Sequence, residues 1–173
     1  MLLDYVLCLA VGFAAKFADR EVSPTRGYAA GLAYGLLGGF LATRSPSFAA
    51  VACALVAGEL LAGKVDKAAH YLAGAAFFVT VAALGFVQPP LAFFALLCAL
   101  AILDEWMEAA AEDFPPALSF IARYRLLSDL GALALSLVTG DWVFFIAIAC
   151  FDLGYQLFDW LDYRLKGGRK WRK

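Results

Sequence analysis

The chain has 173 residues, of which 64% are hydrophobic and only 17% charged, whereas a soluble domain carries roughly 45–50% apolar residues with glycine included and about 25% charged ones. With 14 Lys and Arg against 15 Asp and Glu the net charge is −1, and the mean hydropathy of +0.77 points the same way. An ordinary soluble globule, a disordered chain, a disulfide scaffold and a basic nucleic-acid binder are excluded, which leaves an all-α polytopic membrane helix bundle of one domain, in the cell membrane.

Asp4 stands where a signal peptide would carry Lys or Arg, so the first apolar segment, 2–17, is expected to stay as a transmembrane helix. The next two spans are predicted over 27–43 and 47–63, with Pro24 and Pro46 between them. A fourth covers 68–87, and Pro89 and Pro90 turn the chain into a fifth at 90–107. After Pro115 and Pro116 comes a sixth at 120–138, and Gly140 and Asp141 precede a seventh at 142–165. Residues 1–165 thus form one transmembrane domain, and 166–173 a basic cytoplasmic tail.

Seven spans sort the positive charges sharply. Lys16, Arg20, Arg26, Lys64, Lys67, Arg123, Arg125 and the six from Arg164 onward fall on one side, and Arg44 alone on the other. By the positive-inside rule the N-terminus is outside and the C-terminus inside. Cys8, Cys53, Cys98 and Cys150 are scattered in apolar runs and read as small buried hydrophobes. Gly27, Gly31, Gly35 and Gly39 form an i, i+4 stripe, read first as close packing within the bundle and alternatively as a homo-oligomer contact.

Most acids converge on the same inner face. Asp19 and Glu59 end the first and third spans, Asp66 and His70 frame the fourth, and Asp104, Glu105 and Glu108 end the fifth. Asp129 opens the sixth, while Asp152, Asp159 and Asp162 share a stripe on the seventh. Ionisable groups this near hydrocarbon cost a few kcal/mol each, so their clustering points to a polar cavity or a bound ion. Asp66 with His70, and Asp104 with Glu108, are i, i+4 pairs that can face one way. A carboxylate-rich set with one imidazole suits Mg2+ or Mn2+ better than zinc, with Asp66, Asp104, Glu108, Asp159 and Asp162 as expected ligands. His70 and Asp66 are the expected catalytic pair, and Lys64, Arg123 and Arg125 would neutralise a phosphate. Glu59, Asp19 and Asp152 are supporting residues. Ordinary interfacial pairing, such as Arg125 with Asp129 or Lys16 with Asp19, is the bland alternative.

Nucleotide-binding glycine loops, the nucleophile elbow and zinc-protease signatures are absent. Leu103-Asp104-Glu105, then Phe151-Asp152, then Leu161-Asp162-Tyr163-Arg164-Leu165-Lys166-Gly167-Gly168 resemble, in order, short segments of the phosphatidylglycerophosphatase A family. That family's N-terminal Gly-Thr motif, its Lys-Pro-x-Pro and its later paired aspartates are missing, and no site is carried over from it. Three functions follow as expectations. The first is a metal-dependent enzyme acting at the inner leaflet on a phosphate- or diphosphate-bearing lipid or isoprenoid. The second is a small cation or proton-coupled transporter using Glu59 and Asp152 as its deepest acids, and the third is a non-catalytic membrane subunit.

Overall fold

The computed structural model describes residues 1–21, 23–63 and 65–165. Lys64 and the expected tail at 166–173 lie outside the described residues. Within them the chain is all-helical, in the order α1 (Leu2–Arg20), α2 (Pro24–Ala42), α3 (Pro46–Leu61), α4 (Ala68–Leu84), α5 (Leu91–Ala109), a 3-10 turn (Ala111–Asp113), α6 (Pro116–Arg123), α7 (Leu126–Thr139) and α8 (Val143–Leu165). Pro24, Pro46 and Pro116 each occupy a first helical position, where the missing N–H costs nothing.

Five expected spans and the last each contain one helix, but the sixth does not. The chain breaks at Tyr124 and Arg125, and Arg125 takes a left-handed conformation with φ 54°. Among the described residues, α8 is the one helix long and apolar enough to cross a membrane; α3, α4 and α7 are apolar but shorter. Their 16, 17 and 14 residues correspond to roughly 21–26 Å of helix, against a hydrocarbon core of about 30 Å.

Glycines set the closest helix contacts. A methyl group at Gly31 or Gly35 of α2 would overlap the backbone of α4 at Ala69 or Ala73, and one at Gly39 would press on Phe77 and Thr80. The α2 stripe is therefore used inside the bundle, as its first reading expected. Gly12 of α1 and Gly154 of α8 do the same for each other's helix, meeting the carbonyls of Phe151 and Leu9. The core between these pairs is built on Phe48, Val51, Leu97, Leu135, Phe144 and Ile148.

These contacts align the helix ends. At one end Arg44 pairs with Asp4 at 2.9 Å, and Ser47 donates to Asp141 at 2.5 Å. At the other, Arg20 and Lys16 of α1 meet Asp159 of α8 at 3.0 and 3.5 Å, so α1 and α8 run parallel. Most of the charged residues gather at this second end, referred to below as the charged end.

Candidate functional site

One cavity of about 470 Å3 lies among α1 to α5 and α8. Its polar lining comes from the helix termini at the charged end: Asp19, Tyr34, Glu59, Asp66, Lys67, His70, Glu105, Glu108, Arg125 and Tyr155. Away from that end it is walled by apolar side chains, among them Val11, Leu41, Phe48, Val51, Leu55 and Phe77. It reaches the surface beside Leu60 and Asp66, two lining residues that are themselves exposed.

The central polar feature is a chain of hydrogen bonds across four helices. His70, near the start of α4, places Nε2 2.8 Å from Asp19 Oδ1 on α1 and Nδ1 2.5 Å from the Tyr34 hydroxyl on α2. Tyr155 of α8 donates to the second Asp19 oxygen at 2.9 Å. Lys67 donates to the Asp19 main-chain carbonyl, and the Lys16 ammonium lies 3.9 Å from the centre of the Tyr155 ring. With Asp19 ionised and the ring neutral, the imidazole proton sits on Nε2 and Nδ1 accepts from Tyr34. A neutral imidazole held this way is a ready proton acceptor and donor.

A second cluster holds Arg125. Its left-handed backbone turns the side chain between α3 and α5, with Nη2 3.0 Å from Glu59 and 2.5 Å from Glu105. Asp104, one residue earlier on α5, fixes that turn. It is wholly buried and accepts from the main-chain N–H groups of Leu127 and Ser128 at 3.0 and 2.7 Å, capping α7 directly after Arg125.

The structure brings together part of the expected site. Asp66, His70, Glu108, Arg125, Glu59 and Asp19 all line the cavity. Asp104 does not, since both its oxygens cap α7. Asp159 is paired with Lys16 and Arg20, and Asp162 lies further along α8, away from the cavity wall. Arg123 ends α6, exposed and bonded to Ser119, so of the three expected phosphate-binding bases only Arg125 lines the cavity among the described residues, and it is already engaged by two carboxylates. Asp152 meets Asp129 across α7 and α8 instead of facing the cavity. Among the described residues, no three His, Cys, Asp or Glu side chains are gathered to hold a metal ion. The donor set expected for Mg2+ or Mn2+ is therefore not assembled, because Asp104 and Asp159 have intramolecular partners.

Tyr34, Tyr155 and Lys67 were not expected in the site. The signal for Tyr34 was the glycine stripe beside it: once Gly31 and Gly35 bring α2 against α4, a tyrosine at 34 falls opposite His70. The ion pairs also differ from those the sequence suggests: Lys16 pairs with Asp159 instead of Asp19, and Arg125 with Glu59 and Glu105 instead of Asp129.

No family model, curated protein or solved structure matches this chain.

Proposed function

We propose that the chain is a multi-pass membrane enzyme that carries out general acid–base chemistry on the head of a membrane amphiphile held in the bundle cavity. The observation that carries this reading is the Tyr34–His70–Asp19–Tyr155 chain at the polar end of an otherwise apolar cavity. Cavities of this size and lining suit one small apolar ligand oriented by a few polar groups. Asp19 holds the imidazole, and His70 takes or returns a proton through Nδ1, with Tyr34 between it and the ligand head. Arg125, fixed by Glu59 and Glu105, walls the same end.

Two features support the membrane part of the reading. Large apolar side chains face outward along the helices, including Leu3, Phe78, Val79, Leu91, Leu137 and Val138, a surface far more apolar than a monomer keeps in water. The thirteen-to-one distribution of basic residues supports seven crossings, with α6 and α7 counted as one, the N-terminus outside and the site at the inner face. The transporter reading is less favoured, because the lining residues in the apolar half carry no charge and Asp152 turns toward Asp129.

The test is turnover. Protein reconstituted with a total lipid extract is incubated and the lipids compared by mass spectrometry for wild type, His70→Ala and Tyr34→Phe. The expected result is a lipid conversion that falls by roughly 10²-fold or more in His70→Ala, with Tyr34→Phe folded and slowed. Identical lipid profiles for all three would overturn the enzyme reading, and a cation flux abolished by Glu59→Gln would replace it with the transporter.

A further inference from the structure

The cavity also constrains the ligand, on the reading above that it holds a membrane amphiphile. Phe48 and Glu59 both line it and stand eleven residues apart on α3, as Cys8 and Asp19 do on α1, so it extends about 16 Å along the bundle. Its walls are apolar over most of that length, which suits a hydrocarbon chain lying along the bundle.

The head end is acidic. Among the described lining residues, Asp19, Glu59, Asp66, Glu105 and Glu108 face Lys67 and Arg125, five carboxylates against two full cations beside His70. Both cations are engaged within the protein, Arg125 by Glu59 and Glu105 and Lys67 by the Asp19 carbonyl. An anionic head entering here meets excess negative charge, whereas an ammonium meets carboxylates at the end of an apolar channel. We infer that the cavity takes an amphiphile with a cationic amine head, its hydrocarbon chain lying toward Phe48 and its head between Tyr34 and Glu108.

Thermal unfolding in nanodiscs of zwitterionic phospholipid tests this with three probes of equal chain length: dodecylamine, dodecanol and dodecyl phosphate. Dodecylamine is expected to raise the melting temperature of wild type, with an apparent affinity at least roughly tenfold above that of dodecyl phosphate. Leu55→Trp, which fills the chain portion, and Glu108→Gln, which removes a head carboxylate, should each diminish that shift; if Leu55→Trp does not fold, Glu108→Gln decides. Dodecyl phosphate binding as tightly as the amine would overturn the head assignment and leave the acid–base reading standing. An amine shift unchanged in the variants would overturn the site, and no shift with any probe would remove both this inference and the amphiphile reading beneath it.

Discussion

Asp104 is wholly buried and ties the end of α5 to the start of α7. Its i, i+4 spacing to Glu108 made it a candidate ligand, yet its partners are two main-chain N–H groups more than twenty residues away, made available only by the break before α7. A backbone donor leaves no side-chain signature, so nothing in the sequence marks it. Asp104→Ala is expected to cost about 1–3 kcal/mol, the loss of a buried cap, whereas Asp66→Ala at an exposed position should stay within roughly 0.5 kcal/mol. Denaturant titration in micelles compares the two. Arg125 calls for a paired test, because removing it leaves Glu59 and Glu105 facing each other. Arg125→Met alone should destabilise by about 3–5 kcal/mol, and adding Glu59→Gln and Glu105→Gln should recover most of that. No recovery would mean that Arg125 acts through packing instead of charge. His70 stood out in the sequence as a lone imidazole at an inner helix end, but the carboxylate expected beside it was Asp66, which lies before α4 begins, whereas Asp19 of α1 holds the ring; the hydroxyl partners carried no signal either, since tyrosines are common at membrane interfaces.

At the scale of elements, apolar length and proline placed the helices well, and the missed feature was again the break at 124–125. The expected span 120–138 runs through Arg123-Tyr124-Arg125 with no proline or glycine there to stop a helix, and only the left-handed Arg125, held by its two glutamates, divides it. The glycine stripe was legible as a packing device, but its partner helix was not, because any small-residue face on any span would have served. Gly35→Leu is expected to separate α2 from α4 and cost several kcal/mol, on the order of the largest overpacking penalties, and to lower turnover by pulling Tyr34 away from His70. Gly74→Ala, on α4 where an added methyl meets open space, should be neutral or stabilising by up to about 1 kcal/mol. Circular-dichroism melts of the two variants check both expectations, and a comparable loss in each would show that the stripe is not what joins these helices.

Across the whole molecule, the two charged clusters at opposite ends of the bundle agree with the asymmetry of basic residues along the chain. Asp4, Arg44, Ser47 and Asp141 meet at one end, and Asp19, Glu59, His70, Arg125 and Asp159 gather at the other. That division was readable from the sequence because each short connection returns the chain to the opposite end. How the acids share themselves between a cavity and structural pairs was not, since it depends on which helices become neighbours. The site's placement at the inner face stands or falls with this topology. In a cysteine-free background, Gln88→Cys between α4 and α5 and Glu112→Cys in the turn after α5 are both exposed and lie on opposite sides of the proposed membrane. Labelling of intact cells with a membrane-impermeant maleimide is expected to modify the cysteine at 88 and to reach that at 112 only after the membrane is opened. Modification of both in intact cells, or of neither until lysis, would contradict the membrane-spanning account.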